Sequence, residues 1–401
     1  MRRRHKKIRF ILFLIILISI SIITVKFLFP YLTIEYISNA IQNQTSEMTL
    51  SILSNISTFN SESVLTPNEN DYAYNQLDEN EQKIYKIFLS GIVNFQANVL
   101  IPSVDIDRAS KIFNSILADY PELFWVDTSF SMSSQLINSV NISYIYNKEE
   151  AEKKQAEIDT VVNNFLSTVD SGLSDYDKVL KAYTYVIRNT DYNLEAPDNQ
   201  NIISVFIGKK SVCSGYSKAL QYLLKKMDIP STYIIGEIPQ KGSHGWNMVL
   251  LDGDYYFVDA TWGDPIFENP EDSDPNHVSY EYFLITTDEL LKTHKPINVF
   301  DLPIVTATKY NYYVYNDLFF DKYDFDKISD KIISDGVYGE KYIELKFSNS
   351  KAYNSTVKAL ITNEEIFNIL DNTPNKALVK DSYNYSLDET KLIICFKLKY
   401  T

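Results

Sequence analysis

The sequence predicts an α+β protein that contains a cysteine-bearing helix and an antiparallel hairpin. Two observations carry that expectation. Apolar residues recur at helical spacing in several separate stretches, and a two-residue Asp252-Gly253 turn joins two β-like runs into an antiparallel hairpin. At 401 residues with 45% hydrophobic composition, the chain is long enough for two or three domains with filled cores.

The elements follow in chain order. Phe10 to Val25 is apolar apart from Ser19, Ser21 and Thr24, and Phe27 to Phe29 extend it beyond Lys26. That length spans a bilayer as a tilted helix, with Lys26 snorkelling. The rival is a cleavable signal peptide, but the stretch is long for one and no small-x-small site directly follows Pro30. A Ser-, Asn- and Thr-rich segment over 31–70 reads as a stalk. Ile84, Ile87, Phe88, Ile92 and Phe95 mark a helix over Asp78 to Phe95. A second is expected over Ile106 to Ala118, and a strand over Val140 to Tyr146. Helices are expected over Glu149 to Val169 and Asp177 to Asn189, the latter opened by the capping signal Ser174-Asp175-Tyr176-Asp177. Beyond Lys295, strand-like runs (Tyr342 to Phe347, Lys391 to Tyr400) and a helix near Glu364 to Leu370 predict a C-terminal α+β unit. The domains expected are a basic tip with anchor (1–30), a stalk (31–70), a small α+β domain (71–147), a catalytic domain (148–297) and a C-terminal α+β domain (298–401).

Formal net charge is −14, and six positive charges stand in the first nine residues, which leaves −20 over the rest. So acidic a body repels phosphates, which excludes nucleic acid as an expected partner. The basic cluster before the apolar run predicts a cytoplasmic N-terminus and an extracellular body at the cell membrane, in single-pass arrangement. The 30 tyrosines read as core edges. Cys395 lies in an apolar strand-like run and is expected to be buried, and a bridge to Cys213 is disfavoured by the close geometry it demands.

The chemistry concentrates in 211–265. Cys213 opens a helix whose buried face is Tyr216, Ala219, Leu220, Leu223, Leu224 and Met227, with Ser211 as a cap and Pro230 past its end. A cysteine in a first helical turn feels the positive end of the helix dipole, which favours thiolate. A base comes from the hairpin. If Leu251 pairs with Asp254 in a hairpin of His244 to Leu251 with Asp254 to Trp262, His244 faces Thr261 and Trp246 faces Asp259. His244 and Asp259 are then diagonal neighbours on one face; a slip of one residue would separate them. Thiolate, imidazole and orienting carboxylate form the set that nucleophilic catalysis uses. Zinc is the competing use of Cys, His and Asp, but no fourth ligand of suitable spacing stands out, and no metal or other cofactor is expected. His277 and His294 read as surface or satisfied core residues.

Three blocks carry a resemblance: Val212-Cys213-Ser214-Gly215-Tyr216, His244-Gly245-Trp246-Asn247 and Val258-Asp259-Ala260-Thr261-Trp262-Gly263-Asp264-Pro265, with 31 residues from Cys to His and 15 from His to Asp. In order and spacing they resemble the bacterial transglutaminase-like domain of the papain-like thiol superfamily, closely over Ser174 to Pro265. The resemblance implies a papain-like core with Cys213, His244 and Asp259 as catalytic residues, and an oxyanion hole that includes the Cys213 N–H. It also implies Trp246, Trp262 and Tyr216 at or beneath the substrate. Ser214 departs from the acidic residue often found after the cysteine, which touches substrate preference.

The function expected is acyl transfer from a protein or peptide glutamine to an amine. A cysteine peptidase or amidase giving the same acyl-enzyme to water, on a cell-wall-associated substrate, is the alternative, and a non-catalytic surface binding module is the third reading. Neither nucleophile nor base separates the first two.

Overall fold

The computed structural model describes residues 65–133, 137–264, 277–297 and 299–401. Among them no helix is long and apolar enough to cross a membrane; the expected anchor and nearly all of the expected stalk lie outside the described residues. The described chain divides into two compact units: residues 79–112 with 129–143, and residues 67–78 and 113–128 with 144–401.

The first unit is built from helix α1 (Glu79–Val93) and a sheet. Its strands are β1 (Asn98–Pro102), β2 (Val126–Ser133) and β3 (Ile137–Tyr144), in the order β1-β3-β2. Gly91 lets α1 approach β1, because a Cβ there would run into Val99. β1 and β2 were not anticipated from the sequence; β3 was expected from Val140. Helix α2 (Ile106–Asp119) begins in this unit and ends in the second.

In the second unit, α3 (Lys148–Leu166) starts at a capping box between Asn147 and Glu150. Helix α4 (Asp175–Arg188) starts where Ser174 accepts the Asp177 N–H, two residues earlier than expected. The short α5 (Ile202–Phe206) precedes α6 (Cys213–Lys226). Helix α6 is buried on more than one stripe: Gln221 and Tyr222 are enclosed as well as Ala219, Leu220, Leu223 and Leu224. Each enclosed leucine contributes about 2 kcal/mol by its removal from water. The helix stops through a Schellman arrangement, with Ile229 N–H on the Leu224 carbonyl and Asp228 N–H on that of Lys225. Asp228 adopts φ 58° there, just ahead of Pro230.

Helix α6 lies on a sheet of β4 (Ser231–Ile238), β5 (Gly242–Leu251), β6 (Asp254–Val258), β7 (Phe283–Ile285) and β8 (Lys295–Pro296), in the order β8-β4-β5-β6-β7. The β5–β6 hairpin has the expected register, with Leu251 opposite Asp254 and Asn247 opposite Val258. Asp252 and Gly253 both take positive φ (51° and 86°), as a type I′ turn requires. The expectation that β6 runs to Trp262 is corrected. Pairing stops at Val258, because the Asp259 carboxylate accepts the Thr261 and Trp262 N–H groups and turns the chain.

The expected 148–297 and 298–401 segments lie in this same unit, each with its own sheet. The C-terminal sheet comprises β9 (Phe319–Phe320), β10 (Tyr342–Phe347), β11 (Asn384–Asp388) and β12 (Ile393–Lys397), ordered β9-β10-β12-β11. Helices α7 (Phe325–Tyr338), α8 (Ser350–Thr356) and α9 (Ile366–Asn372) accompany it, around a core that includes Ile328, Leu345, Leu370 and Phe396. Tyrosines do join the segments: Tyr280 stacks on Tyr312 with centroids 3.8 Å apart.

Candidate active site

Cys213 is the first residue of α6, half-buried, with extended Val212 as the N-cap and no side chain capping the helix. The expectation that Ser211 caps it is corrected. Its hydroxyl lies 2.6 Å from Ser204 Oγ and 3.0 Å from the Asn199 carbonyl, bracing the preceding loop instead. The first-turn N–H groups, and the positive end of the dipole, are thus left to the thiol and to anything bound there.

Two polar links hold the helix tip on the sheet, one to β5 and one to β4. Ser217 Oγ donates to the Gly245 carbonyl at 2.8 Å, and Ser214 Oγ meets the Tyr233 hydroxyl at 2.9 Å. Gly245 has to be glycine because a Cβ would run into the Tyr233 ring. The main chain of β5 therefore approaches the helix closely enough for the Gly245 N–H to bond the Cys213 sulfur and for the His244 imidazole to reach it.

His244, 7% exposed, places Nε2 2.6 Å from Asp259 Oδ2, so Nδ1 is the nitrogen that faces the thiol. Asp259 lies one residue past β6 and is 1% exposed. All lone-pair directions of its carboxylate are used: Oδ1 accepts the N–H groups of Thr261 (2.8 Å) and Trp262 (3.1 Å), and Oδ2 faces His244 and, at 3.0 Å, Nε2 of His294. The structure thus brings the three expected catalytic residues together.

The electrostatics follow from burial and these contacts. Burial pushes the Cys213 thiol up, but the His244 hydrogen bond and charge and the Gly245 N–H outweigh it, and the net shift is downward. Burial opposes charge on His244; the Asp259 charge and hydrogen bond, with the Cys213 contact, overcome that and raise its pKa to about 10. Burial likewise pushes Asp259 up, and the two imidazoles hold its carboxyl well below the usual range. A thiol lowered and an imidazole raised both shift the pair towards thiolate–imidazolium.

His294, expected to be a surface or satisfied core residue, is a satisfied core residue: it is buried, with Thr293 Oγ1 2.8 Å from Nδ1. What the sequence did not signal is its other partner, the Asp259 carboxylate. No motif surrounds His294. Only the pairing of the two-residue strand β8 with β4 brings it to the site, and so short an edge strand has no sequence signature. His277 sits elsewhere, 3.8 Å from Glu344.

The aromatic residues divide by burial. Trp262 is half-buried, with its ring 6.1 Å from His244 and 4.8 Å from His294, and walls the site. Trp246 is fully buried with its ring 6.0 Å from His244, so it is floor rather than substrate contact. The expectation of Tyr216 at the substrate is corrected for the same reason. It is 0% exposed, and its hydroxyl lies 2.6 Å from the Thr190 carbonyl and 2.7 Å from Asp264 Oδ2. Asn247 is also enclosed. His244, Asp259 and His294 make a donor set that zinc accepts, but their 2.6 and 3.0 Å separations are those of hydrogen bonds converging on one carboxylate oxygen.

A helix-borne thiol, an imidazole and a carboxylate on an antiparallel sheet form the arrangement that thiol nucleophiles of the cysteine–histidine–aspartate class use. Residues 159–260, which contain all three, match the family model described as Transglutaminase-like superfamily. The chain therefore carries a transglutaminase-like domain. Among curated proteins it is similar to the kyphoscoliosis peptidase of Mus musculus, 20% identical over 171 residues, which cover 38% of this chain and 26% of that protein. The chain thus spans about a quarter of that relative's length. Similar solved structures include a TGase (15% identity, 55% of this chain and 65% of that one, TM-score 0.26) and the periplasmic domain of TgpA from Pseudomonas aeruginosa bound to ethylmercury (15%, 32% and 57%, TM-score 0.21).

Proposed function

We propose that Cys213 is the nucleophile of a thiol acyltransferase that takes the acyl group of a protein or peptide glutamine and passes it to an amine. The observation that supports this most is the single chain of contacts from Cys213 through His244 to Asp259. The thiolate attacks the carboxamide carbon, and the backbone N–H of Cys213 steadies the developing oxyanion. His244 gives its proton to the departing ammonia as the C–N bond breaks, leaving a thioester. An incoming amine attacks that thioester, His244 takes the amine proton, and the thiolate leaves. A body carrying −20 outside the basic tip favours cationic, lysine-bearing acceptors.

Hydrolysis of the same thioester is the second reading, favoured by the name of the curated relative, a peptidase. A fluorescent primary amine incubated with a glutamine-rich protein and the full chain separates the two. Covalent labelling is expected. Unlabelled fragments or deamidated glutamine would favour hydrolysis, and neither product would favour the binding-module reading. The proposed location is the outer face of the cell membrane on a single-pass anchor.

A further inference from the structure

A cavity of about 420 Å³ opens beside the nucleophile, wholly within the second unit. That is the size range of pockets that enclose a small ligand or a pair of side chains. Ser214, the residue after Cys213, and Ser243, the residue before His244, both line it, so an occupant lies alongside the reacting bond. Its apolar walls include buried Ile234 and Phe300, and the branched aliphatics at its rim are open to solvent: Ile235 is 40% exposed and Ile297 54%. Exposed aliphatic side chains grouped around a concave site mark a place where apolar substrate docks.

A second, independent feature is a cation. Lys218 lines the same cavity one helical turn after Ser214, its stem half-buried. Its ammonium donates to the Gln200 carbonyl at 3.1 Å and lies 5.4 Å from the Tyr233 ring centroid. No acidic side chain pairs with it among the described residues, although the chain has 52 acidic residues to supply one. An ammonium has three N–H groups, and the Gln200 carbonyl takes one. Burial pulls the Lys218 pKa down to about 8, as expected where no counter-anion compensates lost hydration.

We infer that this cavity is the acyl-donor pocket, holding a large aliphatic or aromatic side chain beside the reacting glutamine while a neighbouring carboxylate of the same donor pairs with Lys218. The substrate class is therefore an acidic–apolar peptide segment around glutamine. This rests on the acyl-transfer reading for the identity of the reacting group, but not for the pocket's chemistry.

The test measures binding of fluorescein-labelled peptides to the full chain carrying Cys213→Ala, by anisotropy. In the peptides a glutamine is flanked, in either order, by leucine or alanine and by glutamate, glutamine or lysine. The leucine-and-glutamate peptides bind tightest, and replacing either feature weakens binding about tenfold. Lys218→Met abolishes the glutamate preference while the leucine preference persists, and Lys218→Glu reverses it in favour of lysine-bearing peptides. Equal affinity across the set, no binding by any peptide, or a glutamate preference that survives both Lys218 variants would overturn the assignment. Alkylation of wild-type Cys213 is read in parallel. Enhanced, His244-dependent reactivity without peptide preference sinks the pocket alone, whereas ordinary reactivity with the preference intact sinks acyl transfer and leaves the pocket.

Discussion

Asp259 is wired more heavily than a carboxylate that merely orients one imidazole. With Oδ1 tied to two backbone N–H groups and Oδ2 shared by His244 and His294, neither oxygen is free to rotate. Asp259→Asn puts an amide donor against imidazole N–H groups, so turnover should fall about 10³- to 10⁴-fold, as when the orienting carboxylate of a triad is neutralised. His294→Phe keeps the aromatic packing around Trp262 and removes one donor to Oδ2; we expect kcat to drop with KM little changed, and His294→Gln to restore part of it. Steady-state kinetics on both variants checks this, and a KM change alone would make His294 merely structural. Stability should follow the same contacts. Asp259, depressed in the folded protein, stabilises above its unfolded pKa near 3.9, and that contribution is lost as pH falls through its folded value. His244, raised to about 10, stabilises fully below its unfolded value near 6.5, and that contribution is lost as pH rises towards 10. Melting temperatures at pH 6, 8 and 10 should decline in the wild type and decline less in Asp259→Asn.

At the scale of elements, the site depends on one helix tip meeting one hairpin in a fixed register. Ser217 is the polar link between them, and Ser217→Ala leaves the Gly245 carbonyl buried without its donor at a cost of about 1–3 kcal/mol. A lower melting temperature and slower Cys213 alkylation are expected together; a drop in stability with unchanged alkylation would show that the link does not position the thiol. Gly253→Val forces a β-branched residue into φ 86°, and the strain of about 1–2 kcal/mol falls on the turn that sets the register. This hairpin was legible in advance because Asp-Gly dictates both turn type and pairing, and pairing dictates which side chains share a face. Helix α6 was legible because its apolar face shows in the spacing and Pro230 marks its far end. The premature end of β6 was not, since it arises from the Asp259 side chain competing for backbone N–H groups, which alternation does not register. β4 and β8 escaped too: β8 has two residues, and their pairing with β4 is what carries His294 into place.

Over the whole molecule, the chemistry occupies a small part of the chain, and the flanks were read only as generic α+β segments because strand order is set by long-range pairing. Both cysteines are free, and their environments differ. Cys395 on β12 is buried, and burial pushes its thiol well above the ordinary value, so native alkylation should modify one cysteine of the two. Peptide mapping after brief iodoacetamide treatment checks this, and equal labelling would contradict it. For the proposed anchor, the full chain should sediment with membranes, and deletion of residues 1–30 should release an active body; an active body that still sediments would place the attachment elsewhere.

The proposed catalysis depends on the sulfur being ionised by the ring beside it. The direct measurement is the pH dependence of Cys213 alkylation in wild type and His244→Ala, both with Cys395→Ser. A midpoint below the ordinary thiol value of about 8.5, moving upward when the imidazole is removed, is the predicted result. An ordinary midpoint that stays put in His244→Ala would contradict the thiolate–imidazolium pair and the enzyme built on it.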